Sequence, residues 1–497
     1  RRAGLVYLVA THAGTLLLFL LFGTWGSRAA DLTFAALAAG AGQLGDGRSL
    51  VFALALLGFG VKAGLVPLHF WLPEAHAAAP SHVSAIMSGV VIKAGIYGLL
   101  RVAALLGVPP AWWGWTVLIL GVASAVLGVL WALAQHDLKR LLAYHSVENI
   151  GIILLGLGVG ALGMAYGAPG LAVLGLAGAV LHTLNHALFK SLLFLGAGNL
   201  LRATGTRDLE RLGGLARRMP VTWAVFLVGA AAIVGLPPLN GFVSEWLVFQ
   251  ALFQAGFSRT PAALSVFGAA ALALAGGLAL ACFAKVCGVV FLGHPRTEDG
   301  QDAREVTRGY LMPASALAAA CVAIGLWPWL VLGPSVRVAA FVAGVPAGAA
   351  LELARPAIVA GRGIALLAAL AVLASALLWW LRAAALRRAG TTAAETWRCG
   401  YALPSARMQY SASSFAAPTL GVFGGISGVS AMRRPSSFET RAANLVLDRG
   451  LVPLWRLLHA GSQRLRPIQH GRLHLYLLYL VATVSLLLIY LAAWGSP

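Results

Sequence analysis

The chain has 497 residues, of which 60% are hydrophobic and only 10% charged, with a formal net charge of +20 and a mean hydropathy of +0.84. That balance excludes a stack of ordinary soluble domains. So strong a positive charge would point to nucleic acid in a soluble protein, but here the arginines read as topology, no nucleic-acid partner is expected, and the medium is the lipid bilayer.

Taken in chain order, runs long enough to cross about 30 Å of hydrocarbon lie near 4–24, 49–72, 80–105, 111–134, 138–163, 169–200, 219–257, 262–292, 309–331, 362–385 and 473–494. The expectation is an all-α polytopic membrane protein of about eleven transmembrane helices. The stretch 335–361, marked by Pro334, Glu352, Arg355 and Pro356, is expected to be a surface or re-entrant piece.

Three segments follow: a transmembrane domain over 1–385, a basic cytoplasmic or peripheral segment over 386–472, and a C-terminal transmembrane anchor over 473–497. Thirteen arginines lie from Arg382 to Arg472, opposed only by Glu395, Glu439 and Asp448. Such a segment suits anionic lipid headgroups or a partner surface. Arg1 and Arg2, Lys139 with Arg140, the loop Arg202 to Arg218 and this basic segment fall on one side if every span is counted once. By the positive-inside rule that side is cytoplasmic. The first residue is Arg and no signal peptide precedes the first span, so N-terminal spans are expected to be missing.

Cys282, Cys287, Cys321 and Cys399 form no C-x-x-C pair, and no Gly-rich phosphate loop is present. No metal and no cofactor are expected in this chain, so if it belongs to redox chemistry the electrons travel through other chains.

The lysines carry the sharpest signal. Only five of the 36 basic residues are Lys, and Lys62, Lys93, Lys190 and Lys285 sit inside apolar helical runs, leaving Lys139 in a polar loop. Arg keeps its proton at any working pH, whereas a desolvated Lys gives its proton up readily. A charge near the bilayer centre costs about 2.5–3.5 kcal/mol on insertion scales, so each such lysine is a functional candidate. In "HTLNHALFKSLLFLG", His182, His186 and Lys190 recur at i, i+4 and share one helix face. Glu148 in "YHSVENIGII" and Glu245 in "PLNGFVSEWLVF" are the acidic residues best placed within the membrane, and His145 stands beside Glu148. Together these groups would form a polar chain across the protein, in which one proton's arrival expels the next.

An internal repeat supplies architecture. Gly64 to Glu74, GLVPLHFWLPE, and Gly235 to Glu245, GLPPLNGFVSE, share Gly, Leu, Pro, Leu and Glu at the same offsets, 171 residues apart. Pro67 in the first, and Pro237 with Pro238 in the second, stand inside hydrophobic segments, where proline removes a helix hydrogen bond. Two broken helices in corresponding halves, read as inverted repeats, point to an ion site at the repeat interface. Lys62 precedes its proline and Glu245 follows its own, so the repeat aligns the breaks and not the charges.

On these residues the chain resembles the antiporter-like subunits of respiratory complex I and its relatives. The broad likeness rests on "VKAGLVPLHFWLPEAHAAAPSHVSAIMSGVVIKAGIYGLLR", "DLKRLLAYHSVENIGII", "HALFKSLLFLGAGNL" and "GLPPLNGFVSEW". Through "YHSVENIG", "TWRCGY", "YSASSF" and "QHGRLHLYLLY" it is most similar to the large membrane subunit of group 4 membrane-bound hydrogenases, of the hydrogenase-4 component B and formate hydrogenlyase subunit 3 kind. The resemblance implies a proton-translocating subunit of a redox-driven complex. Its implied partners are other membrane subunits and hydrophilic iron-sulfur and [NiFe] subunits.

The resemblance also implies roles. Lys62 matches the lysine of the first broken helix, usually paired with a glutamate that would here precede Arg1. Lys93 matches a lysine relaying protons toward the centre, and Lys190 with His182 and His186 matches the central relay. Glu245 matches the ionisable group of the second broken helix, facing the exit path. His145 and Glu148 are expected to join the axis, while Lys285 is less certain and reads equally as a packing or loop-proximal residue.

Plainer readings stand beside these. His182 and His186 at i, i+4 suit a metal, though no third ligand is evident, or serve as core histidines. Lys93 snorkelling toward Arg101 is a stretch, and Asp137, Lys139 and Arg140 read as a solvated helix start. At the level of the whole chain, the alternatives are a cation/proton antiporter subunit of the Mrp-like type, a complex I antiporter-like subunit, or a structural anchor.

Overall fold

The structure is a computed structural model that describes residues 2–257, 262–390, 401, 408–434, 437–442, 446–466 and 471–494. Cys399 and the "TWRC" of the tail motif lie outside the described residues. Two compact units, 1–443 and 444–497, are described separately.

The first unit opens with α1 (Arg2–Gly26), α2 (Phe34–Gly40) and α3 (Gly47–Ala63), followed after a break by α4 (Leu72–Ala78). Next come α5 (Ser81–Ile86) and α6 (Lys93–Leu106), joined through a π-helical turn at Met87–Val91 into one span. The centre is α7 (Ala111–Leu133), α8 (Leu138–Ala165) and α9 (Pro169–Thr204). A second broken pair, α10 (Pro220–Ile233) and α11 (Asn240–Phe257), precedes α12 (Ala262–Val286), which runs into a π-helical turn at Cys287–Phe291. After the short α13 (Glu298–Gln301) stand α14 (Arg308–Leu326), α15 (Trp329–Ala343) and α16 (Ala347–Ala389), and then α17 (Ala412–Val422) and α18 (Gly424–Ser427). A two-stranded antiparallel hairpin, β1 (Val429–Arg434) with β2 (Ser437–Ala442), is the one sheet among the described residues. The second unit holds α19 (Val452–Leu465) and α20 (Leu473–Trp494).

Nine helices among the described residues are long and apolar enough to cross a membrane. The chain is therefore an integral multi-pass membrane protein. The 219–257 span divides into α10 and α11, and 49–72 ends its helix at Ala63.

The stretch 335–361 needs correction. It is helical rather than a surface or re-entrant piece, shared between the end of α15 and the start of α16 across left-handed Gly344 (φ 67°). Pro334 and Pro356 lie inside these helices. Neighbouring helices in a membrane protein re-satisfy the few backbone groups a proline frees, so the helix continues through it.

Helix α8 is almost wholly buried, sandwiched between α7 and α9. Close approach depends on glycine. A Cβ at Gly151 would stand 2.3 Å from the Ala125 nitrogen, and one at Gly128 would stand 2.6 Å from the Glu148 nitrogen. Small residues let membrane helices pack backbone to backbone, and here that contact fixes the helix carrying His145 and Glu148.

Candidate functional site

Both breaks use the same local device. Left-handed Gly64 (φ 77°) ends α3 and left-handed Gly235 (φ 72°) follows α10, each ahead of a cis peptide, before Pro67 and before Pro238. Glycine takes this conformation without the Cβ clash that other residues incur. The freed backbone is met internally at the first break, where Trp71 Nε1 donates to the Val61 carbonyl (2.8 Å) and the Val66 amide donates to Ser124 Oγ (3.0 Å). At the second, Asn185 Nδ2 donates to the Asn240 carbonyl (2.7 Å) and Asn240 Nδ2 donates to Asn185 Oδ1 (3.2 Å), which ties the break to α9.

Helix α9 presents His182, His186 and Lys190 from one face, all fully buried. His182 is engaged at both ring nitrogens, Nδ1 with Ser244 Oγ (3.0 Å) and Nε2 with Asn149 Oδ1 (3.1 Å). The His186 ring lies nearly parallel, 6.4 Å between centroids, and neither of its nitrogens has a hydrogen-bond partner among the described residues. With both His182 nitrogens occupied, the two rings do not form the chelating pair that i, i+4 spacing permits.

Lys190 is the hub. Its Nζ donates to the Leu142 carbonyl of α8 and lies 5.3 Å from the centre of the Phe194 ring. The imidazole of His76 stacks on that same ring at 4.8 Å. Lys190 lies within electrostatic reach of Glu148, Lys93, His76, His145 and His186. Glu148 pairs with His145 Nδ1 one turn away and also feels Glu245.

Lys93 follows the π-helical turn and reaches back across it to the Ser88 carbonyl, while Ser88 Oγ meets Ser146 Oγ of α8 at 2.9 Å. A π-helical turn offsets the side chains that follow it, and such turns are frequent at functional sites. Here it accompanies a buried amine; the side chain does not snorkel toward Arg101. Glu245 is buried against the second break, where a Cβ on Gly235 would come within 2.6 Å of its Oε2.

The structure thus brings Lys93, His145, Glu148, His182, His186, Lys190 and Glu245 into one buried interior. Lys62 is not among them: it is exposed, in a shallow hollow with Tyr7, Thr11 and Trp71. Lys285 is buried and donates to the Leu133 (2.7 Å) and Gln135 (3.1 Å) carbonyls at the end of α7. Lys139 corrects the reading of a solvated helix start. Asp137 does cap α8, accepting from the Lys139 and Arg140 amides, but the Lys139 residue is 1% exposed and its Nζ donates to the Ala79 carbonyl. Its alkyl stem packs inward while the amine meets the end of α4.

Sequence reasoning passed over His76. It sits one turn beyond the first break, fully buried, with both ring nitrogens unpartnered among the described residues. Its signal was present as a histidine following "FWLPEA", the motif already singled out, but its role depends on Phe194, 118 residues away.

The family model described as NADH:quinone oxidoreductase/Mrp antiporter, TM, matches residues 1–275. The chain belongs to this antiporter-like family. Among its members, hydrogenase-4 component B of Escherichia coli is 42% identical over 99% of this chain and 76% of its own length. Formate hydrogenlyase subunit 3 of the same organism is 47% identical over 56% of this chain and 46% of its own length. Among solved members of the fold, a chain of an archaeal membrane-bound sulfane sulfur reductase aligns with TM-score 0.75 and 25% identity, covering 98% of this chain and 76% of that one. A chain of the Mrp complex from a Dietzia species aligns with TM-score 0.61 and 25% identity, covering 69% of this chain and 68% of that one. The relatives are subunits of multi-subunit membrane complexes, so this antiporter-like chain has other membrane subunits as partners.

Proposed function

We propose that this chain is the proton-translocating membrane subunit of a redox-driven complex of the group 4 [NiFe] hydrogenase type, seated in the inner membrane of a prokaryote. The observation that carries the reading is the hub at Lys190, which joins Lys93, His76 and His186 on one side to His145 and Glu148 on the other without leaving the interior. A set of buried amines, imidazoles and carboxylates spaced for mutual coupling has no packing value, since each charge is costly in hydrocarbon. It has transport value, because neighbouring charges a few ångströms apart interact by about 3 kcal/mol at an effective dielectric of about 20.

In the proposed cycle, electron transfer in hydrophilic iron-sulfur and [NiFe] partner subunits shifts the charge at a neighbouring site. A proton then moves through Lys93, the His182–His186–Lys190 face and the His145–Glu148 pair toward Glu245 at the second break. The basic segment 386–472 serves partner docking and 473–497 serves as anchor. Likeness to the Mrp complex favours a second reading, a cation/proton antiporter subunit working without redox partners.

Mild-detergent purification with mass spectrometry separates the two: a nickel-iron subunit and iron-sulfur chains should travel with this chain, whereas small membrane subunits alone would favour the antiporter. In proteoliposomes of the assembled complex, Lys190→Ala is expected to lower proton uptake about 100-fold, as loss of a positioned proton carrier does. Wild-type uptake by that variant would sink the relay.

A further inference from the structure

The axis described so far does not reach the face on which the basic loops gather. Lys285 does. It lies two residues before the π-helical turn Cys287–Phe291, as Lys93 lies just after its own. Its contact with the Leu133 and Gln135 carbonyls has a plain reading, a cation closing the C-terminal end of α7. Three further observations exceed that reading.

Lys285 lies within electrostatic reach of His145 on the membrane side and of Glu210 on the loop side, with Cys282 of its own helix beside it. His145 spends Nδ1 on Glu148 and keeps Nε2 buried with no partner among the described residues. The residue after Gln135 is His136, whose Nδ1 lies 3.5 Å from Glu210 Oε1 and whose ring lines an open polar cavity of about 590 Å³ with Asp137, Thr206, Arg207 and Asp208. The peptide step from Gln135 to His136 therefore spans from the buried amine to the cavity.

We propose that protons reach the buried axis from the basic face through His136 and then Lys285, with the Glu210 carboxylate as the fixed anion between them. This rests on the proton-translocating reading above. His136 Nε2, held by the Thr440 hydroxyl (2.9 Å) and amide (3.2 Å), takes a proton that this hydroxyl hands on from cavity water while regaining its own; the imidazolium protonates the free amine of Lys285, and the ammonium passes the proton to Nε2 of His145. Each carrier returns to its starting state, so one proton enters the axis per passage.

Glu210 is a positioning residue. Burial pushes its carboxyl up, but the His136 ring 3.5 Å away and hydrogen bonds from the Ser413 hydroxyl and amide outweigh this and hold it at about 2. It stays ionised and attracts cations rather than carrying the proton. Arg296, 3.7 Å from Glu210, the Asp137–Arg207 pair at 3.0 Å and Asp208 add further charges around the mouth. The amides of Ala412 and Ser413 also donate to Glu210, so the start of α17 holds this anion in place.

The test uses the whole complex in proteoliposomes, with co-purification of its subunits confirming assembly. Lys285→Arg keeps the charge and the closing of α7 but cannot release its proton, and it is expected to lower proton uptake about 100-fold; wild-type uptake overturns the proposal. His136→Ala changes a side chain that is 21% exposed, is expected to slow uptake about tenfold, and should regain it on addition of imidazole. An undiminished rate, or a low rate that imidazole leaves unchanged, overturns the route equally. Lys190→Ala run alongside separates the readings. If it pumps normally the translocation reading fails, whereas an inactive Lys190→Ala with an active Lys285→Arg refutes this route alone.

Discussion

The two breaks hold their aligned glutamates differently. At the first, Glu74 meets Arg140 of α8 at 2.8 Å, while His76 of α4 enters the interior. At the second break Glu245 folds back over Gly235, and Ser244 beside it meets His182. The backbone device is shared and its use is not. A break supplies free backbone and room; the side chains placed after it decide whether that room joins the relay.

The largest effect is expected from Gly241, aligned with Phe70 of the first break. A Cβ there would stand 1.8 Å from the Ala232 carbonyl oxygen, and backbone cannot yield as a side chain can. Gly241→Ala should prevent stable accumulation of the chain, costing upwards of about 3 kcal/mol as overpacking at a backbone contact does, read as loss of folded protein in membranes.

Glu245→Gln comes next. If the second break alone feeds the relay, this change should slow proton uptake about 100-fold while subunits still co-purify, and equal loss from Glu74→Gln would erase the distinction between the breaks.

A smaller effect separates the loop region from both breaks. Glu210 has a folded pKa of about 2 against an ordinary 4.5. Its stabilisation is therefore fully present above the ordinary value and is lost as pH falls through 4.5 toward 2. That is worth about 1–3 kcal/mol after allowance for partial exposure. Protection factors from hydrogen exchange over 409–422, each rate taken relative to its intrinsic value at that pH, should fall between pH 5 and pH 3 in the wild type and show no such step in Glu210→Gln.

The smallest effect is on stability at the first break. The Glu74–Arg140 pair is part-exposed, so Glu74→Gln should cost only about 0.2–1 kcal/mol, a fall of at most a few degrees in Tm.

Much of the site could be read along the chain. The face of His182, His186 and Lys190 needed only helical spacing, and the breaks needed only Pro and Gly at matching offsets. His76 escaped, and Lys285 stayed a less certain candidate, because their contacts lie in residues remote in sequence: Phe194 for the one, the end of α7 and Glu210 for the other. Lys139 misled because a helix start with Asp137 as its cap reads as solvated whether or not α4 packs over it. Prolines 334 and 356 misled because proline weighs against a helix locally, while packing inside a membrane protein tolerates it.

What the sequence by itself determined was the class of protein, the helical spans and the identity of most ionisable groups, because hydropathy and the helical period are local properties. Which of those groups meet was decided by tertiary structure alone. Lys190 is enclosed because α8 packs against α9 through glycines that let the helices touch, and no local feature of the chain specifies that packing.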